Sequence, residues 1–230
     1  MKWPHGNHYF LLYSAGSWIS YYSFLAAAQR RKELEAWAIA KELRFSADNN
    51  YSFDHRLPEF KYLQQGSNRY AYNIIQGHWQ ERSFLGFDYH YETYSTDSKG
   101  NRQTYHYYFS AIILSSKVPL KPLFIRPESF LDKITEFFGY DDIDFESAEF
   151  SRKFYVKAAD RRWAYDVIHT RTMEFLLSAP LFTIQFDSTQ VMAYRSGTFS
   201  TQDFEAATEV VRGILDRLPE YLVRQQEGKV

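Results

Sequence analysis

The sequence predicts an α+β fold: a mainly antiparallel sheet with helices packed on one side, plus an N-terminal helix. Three observations predict it. Residues 71–114 read as consecutive strands separated by turn signals. The later helical stripes are grouped rather than alternating strictly with strands, which disfavours a doubly wound sheet. The chain holds 19 Tyr, 20 Phe and 5 Trp, the residue types a pleated sheet prefers. The 230 residues are enough for one large domain with a real core.

Along the chain, Tyr9 to Gln29 carries no charge, and Arg30, Arg31 and Lys32 follow at once. A bilayer-spanning helix needs about 20 apolar residues, and the basic stop would leave the rest of the chain in the cytoplasm. Residues 1–43 are therefore expected to form a hydrophobic, aromatic helix set apart from the domain, a single-pass membrane anchor. The alternative is a buried or partner-packing helix of a cytoplasmic protein. Ser14, Ser17, Ser20, Ser23 and the tyrosines dilute the apolar run. Glu33, Leu34, Trp37, Ala38 and Leu43 continue the helical pattern to about Glu42.

Residues 44–230 are expected to form a single α+β domain. Asn49-Asn50, Pro58 and Gly66-Ser67-Asn68 mark residues 44–70 as a packed loop. Strands follow at Tyr72–Trp79, with Gly77 as a bulge, at Ser83–Tyr94 and at Gln103–Leu114, with a turn at residues 97–101. Leu123–Arg126 is a short strand, Phe130–Phe138 a helix stopped by Gly139, and Glu149–Lys157 an alternating strand. Asp160 caps a helix through Ile168 that resumes at Met173–Leu177. Phe182–Phe186 and Val191–Tyr194 form a hairpin. Thr201 caps the last helix, whose stripe is Phe204, Ala207, Val211, Ile214, Leu215 and Leu218. The sheet is expected to hold about five to seven strands.

The stretch from Asp144 to Val156, continued by Asp160, Ala164, Tyr165, His169-Thr170-Arg171 and Met173–Leu177, resembles the signature of an uncharacterised bacterial family known only as a domain of unknown function. Phe87–Tyr91 and the strand through Ile113 extend the resemblance over most of residues 20–220. It implies an N-terminal membrane segment, a short basic stop and a cytosolic α+β domain. It carries no assigned activity and so no catalytic residues.

Composition excludes several function classes. With no cysteine there is no disulfide scaffold, thiolate metal site or cysteine nucleophile. A net charge of -1 argues against a nucleic-acid partner. No phosphate-binding glycine loop, HExxH or GxSxG is present, and no cofactor is expected. The acidic run Asp141, Asp142, Asp144, Glu146 and Glu149 lacks the glycine and ligand offsets of a calcium loop. Arg152-Lys153 and Arg161-Arg162 either meet acidic lipid headgroups or are neutralised by that run.

Two constellations stand out. Asp88, His90 and Glu92 share one strand face by period two and are candidate metal ligands. His106 joins them or not by turn parity. The commoner two-residue turn at Lys99-Gly100 turns it away, whereas a three-residue turn sets it opposite Glu92. Tyr89, Tyr91, Tyr105 and Tyr107, beside Tyr108 and Phe109, exceed what one sheet face buries and are candidate ligand-binding residues. Two functions follow: a membrane-associated scaffold or binding module presenting its aromatic sheet to a protein or lipid partner, or an enzyme, metal-dependent or not, working at Asp88, His90 and Glu92.

Overall fold

The computed structural model describes residues 9–130 and 141–226. Its centre is a long hairpin, β3 (Arg82–Thr96) with β4 (Arg102–Ser115). Thirteen successive residue pairs run from Phe84↔Leu114 to Thr96↔Arg102 without a break. Around it lie β1 (Arg44–Ser46), β2 (Ser67–Trp79), β5 (Leu123–Pro127), β6 (Asp141–Asp142), β7 (Phe154–Ala158), β8 (Thr183–Phe186) and β9 (Gln190–Ser196). They form one nine-stranded sheet in the order β1-β2-β3-β4-β9-β8-β5-β7-β6. Every pairing of these strands is antiparallel. The fold is thus α+β with a mainly antiparallel sheet. The strands beyond the expected seven are the three-residue β1 and the two-residue β6, too short to show a period.

Period two divides the sheet into a helical side and a loop side. On the helical side, Ile75, Phe84, Ile112, Leu114, Val191 and Ala193 pack against α5 (Thr201–Leu215) and the end of α1 (Tyr9–Ala40). The apolar stripe of α5, from Phe204 through Ala207 and Val211 to Ile214, is fully buried there. Each large side chain of this kind contributes about 1.5–3 kcal/mol of transfer free energy. On the other side, Phe87, Tyr89, Phe109, Ala111 and Tyr194 are covered by Phe53, Phe60, Tyr62 and Leu63, carried on and beside two 3-10 turns between β1 and β2.

Helix α1 is continuous over 32 residues, close to the expected reach. It is not set apart from the domain. Leu34 and Ala38 are completely buried in the main core, and Trp37 stacks on Phe204 at 5.9 Å and meets Trp79 at 6.0 Å. Nor is the expected single-pass span borne out: no described helix is long and apolar enough to cross a membrane. The serines and tyrosines of residues 9–29 are the reason, since length alone would suffice.

Other local expectations need correction. Residues 148–153 form a helix, α2 (Ala148–Lys153), and not the start of a strand; only Phe154–Ala158 is extended. Phe150 and Phe154 are four apart, a spacing that fits a helical turn as well as alternation, and the Ser147 hydroxyl caps the turn by accepting from the Phe150 N–H. The bulges of β2 lie at residues 67–70 and 72–75 rather than at Gly77. Ser200, not Thr201, caps α5, in a reciprocal capping box with Asp203. Asp160 caps α3 (Arg161–Val167) as expected, and α4 (Thr170–Ser178) follows. The last described element is α6 (Glu220–Gln226). The helix expected at Phe130–Phe138 falls almost wholly outside the described residues.

Candidate functional site

The even residues of β3 that follow the core, Asp88, His90 and Glu92, lie on the helical side, where Arg30 of α1 reaches Asp88. The structure separates them. Asp88 is completely buried and committed to structure. Its Oδ2 accepts from Arg30 Nη1 at 2.6 Å and from Asn73 Nδ2 at 2.8 Å, and its Oδ1 accepts from Arg30 Nη2 at 2.9 Å and from the Ser110 hydroxyl. Arg30 also donates to the Phe199 carbonyl at 2.8 Å and 2.6 Å. With both oxygens engaged by donors, Asp88 is not available beside His90 as a metal ligand.

His90 and Glu92 instead meet His106. The turn has three residues, Ser98-Lys99-Gly100, because the Asp97 carboxylate accepts from the Lys99 and Asn101 N–H groups and Gly100 takes the left-handed position at φ +83°. That parity places His106 opposite Glu92. His90 Nε2 lies 3.1 Å from His106 Nδ1, Glu92 Oε1 lies 3.4 Å from His106 Nδ1, and Glu92 Oε1 lies 3.9 Å from His90 Nε2.

Asn68 of β2 holds both β3 residues. Its carbonyl is 3.1 Å from His90 Nδ1, and its Nδ2 donates to Glu92 Oε1 at 2.7 Å. The left-handed conformation at Asn68, φ +48° within the bulge of β2, aims the two groups at one place. His90 is buried between the rings of Tyr70 and Tyr108, at 4.6 Å and 4.8 Å. Burial lowers its pKa, against the opposing pull of the Asn68 carbonyl and Glu92. Burial, with Tyr108, Tyr51 and Glu92 nearby, raises the Tyr70 hydroxyl.

The four candidate tyrosines divide by depth. Tyr89 is buried in the second core, and its hydroxyl donates to the Leu63 carbonyl at 2.7 Å. Tyr91 is buried too, with Tyr107 stacked on it at 4.9 Å and 8°. Of the four, Tyr105 and Tyr107 present surface, at 40% and 44% exposure, together with Tyr94 at 48% and Tyr108 at 46%. Sequence reasoning missed Arg30, Asn68 and Tyr70 as parts of this region. Gly100, placed to serve a left-handed turn position, was the available signal for His106.

β4 also outruns its outer neighbour. β9 pairs with it only from Ser110 to Ser115, and Arg102–Tyr108 is exposed throughout. Arg102 lies over the Tyr94 ring at 3.6 Å. Gly197 donates to the Tyr108 carbonyl, so the free end of the hairpin is a tyrosine- and arginine-bearing projection whose outer backbone edge, from Arg102 to Tyr107, is unpaired by any described strand.

No family model matches the chain, and no curated protein does. Among solved structures, the chain is similar to the crystal structure of the mycobacterial trehalose monomycolate transport factor A, TtfA, with 12% sequence identity and a TM-score of 0.59. The match covers 85% of this chain and 94% of that chain. At that identity the likeness is one of fold, and it runs through most of both molecules.

Proposed function

We propose that this chain is a non-catalytic binding module of a lipid-transport assembly, and that it engages a protein partner through the free end of the β3–β4 hairpin. The observation that carries the contact surface is the set of four half-exposed tyrosines on a projecting strand pair, Tyr94 and Tyr108 on one face and Tyr105 and Tyr107 on the other. Tyr supplies large contact area with few rotors and a hydrogen-bonding tip, and both Tyr and Arg are enriched where protein partners bind tightly. The unpaired edge of β4 adds backbone donors and acceptors that an extended partner segment can use. Lipid transport enters through the fold shared with a transport factor. It accords with the notion of a scaffold at a membrane without requiring α1 to span one.

The test uses the full chain and membrane vesicles from the source organism. Binding is measured by flotation for the parent and for a Y94A/Y105A/Y107A/Y108A variant whose thermal unfolding is checked first. The expected result is saturable binding that the variant loses and that protease treatment of the vesicles abolishes. Equal binding by parent and variant, or none by the parent, overturns the proposal. Undiminished binding to protein-free vesicles of extracted lipid also overturns it, in favour of a lipid partner.

A further inference from the structure

The three atoms His90 Nε2, Glu92 Oε1 and His106 Nδ1 form a triangle with edges of 3.1, 3.4 and 3.9 Å. Ligands about 2.0–2.1 Å from a tetrahedral centre stand about 3.3 Å apart. The triangle is thus close to one face of a tetrahedron around a single ion. We propose that His90, Glu92 and His106 bind a zinc ion, with a fourth position open to solvent.

The surroundings support ligation. His90 turns Nδ1 to the Asn68 carbonyl, which places a proton on Nδ1, so the neutral ring directs its Nε2 lone pair at His106 and Glu92. Opposite that lone pair, the His106 Nδ1 proton completes the hydrogen bond between the two rings. The His106 ring is 53% exposed, so the proton can move to a solvated Nε2 when Nδ1 takes the metal. Asn68 Nδ2 steadies the Glu92 carboxylate, as an outer partner of a metal-bound carboxylate does. The donor set, two imidazoles and a carboxylate, suits zinc; calcium and magnesium prefer all-oxygen sites. A cluster of acidic groups alone would not discriminate in this way. Here two imidazoles and a carboxylate converge on one point, and no other such group of three occurs among the described residues. Occupancy would tie β3 to β4 at the root of the tyrosine-bearing projection, with Asn68 linking β2.

The test is a competition titration of zinc into chelator-treated full chain at neutral pH, with a chromophoric chelator reporting free metal. The parent is expected to take up one zinc that survives competition, and cobalt at the same site is expected to show the intense visible bands of tetrahedral coordination. H106A and E92Q are each expected to weaken binding by at least about 10-fold, and N68G, which suits the left-handed backbone while removing the outer amide, by about 10-fold. H78A, at an exposed histidine near the opposite end of β2, where it pairs with Ser83, should leave binding unchanged. His106 is half-exposed, so H106A tests the site without removing a core side chain. Parent-like zinc affinity in both H106A and E92Q overturns the proposal, as does a parent that yields all its zinc to the chelator.

Discussion

The guanidinium of Arg30 grips the buried carboxylate of Asp88 with two hydrogen bonds, at 2.6 Å and 2.9 Å. The same guanidinium donates to the Phe199 carbonyl, and Asp88 accepts from Asn73 and Ser110. One ion pair thus joins α1 to β2, β3, β4 and the segment entering α5. In the sequence Arg30 opens a basic run that resembles a membrane stop; in the fold its charge is turned inward onto the sheet.

Removing one partner of such a pair leaves the other buried and uncompensated. R30A is expected to destabilise the chain by about 3 kcal/mol, the lower end of the usual range because Arg30 keeps some contact with water. R30M/D88N should recover part of that loss, since neither charge then stays buried alone. Urea unfolding of the two variants beside the parent checks both statements. A loss in R30A below about 1 kcal/mol would mean the pair does not hold α1 to the sheet.

Ser110 serves two partners at once. Its hydroxyl donates to Asp88 and accepts from the Phe199 N–H at 2.8 Å, and the residue is completely buried. S110A leaves a buried N–H without its acceptor and is expected to cost about 1–3 kcal/mol. S110T should be worse than its retained hydroxyl suggests, because an added methyl has no room in a filled core. Denaturant midpoints of the two variants decide it: a parent-like S110A contradicts the assigned hydrogen bonds.

Acid should loosen α5. Burial works to raise the Asp203 pKa, but the Ser200 N–H and hydroxyl and the Arg195 guanidinium outweigh it and hold the carboxyl low. Trp37 Nε1–H and Lys41 lower Glu205. A carboxylate whose folded pKa is depressed adds stability that is present above its unfolded pKa and lost as pH falls through the folded value. The stability of the parent should therefore decline from about pH 4.5 downward. D203N/E205Q is expected to be less stable at pH 7 and to show a shallower decline in acid. Parallel unfolding profiles for parent and variant between about pH 6 and pH 3 would contradict this.

The two faces of β3 and β4 were legible because a pleated strand has an invariant period of two: Phe87 and Tyr89 had to oppose Asp88 and His90. The capped helix at Asp160 and the stripe of α5 were legible for the same local reason. What sits opposite a face is not local. His106 was placed by a turn whose length depends on Asp97 and Gly100 acting together, and Asp88 was claimed by Arg30 from 58 residues away. Ser147 and Phe150–Phe154 illustrate a different limit, since a six-residue segment satisfies both periods and its cap decides between them.

Gly66 offers a way to measure how tightly β2 is pressed against the candidate metal site. It sits at φ +61°, and a Cβ there would collide with the Glu92 carbonyl oxygen and lie 2.9 Å from the Tyr91 ring. Gly100 has a similar left-handed conformation, φ +83°, with nothing within 4 Å of its would-be Cβ. G100A therefore carries backbone strain alone, about 1–2 kcal/mol. G66A carries the same strain plus a collision with backbone, which cannot rotate away as a side chain can. It should be the more destabilising by at least about 1 kcal/mol in matched urea titrations. Because the collision pushes on Glu92 and on neighbouring Asn68, G66A should also weaken zinc uptake, whereas G100A leaves the register of β3 and β4 and the metal affinity as they are. Equal losses of stability in the two variants would show that β2 gives way at Gly66, and that the close approach does not hold Asn68 against Glu92.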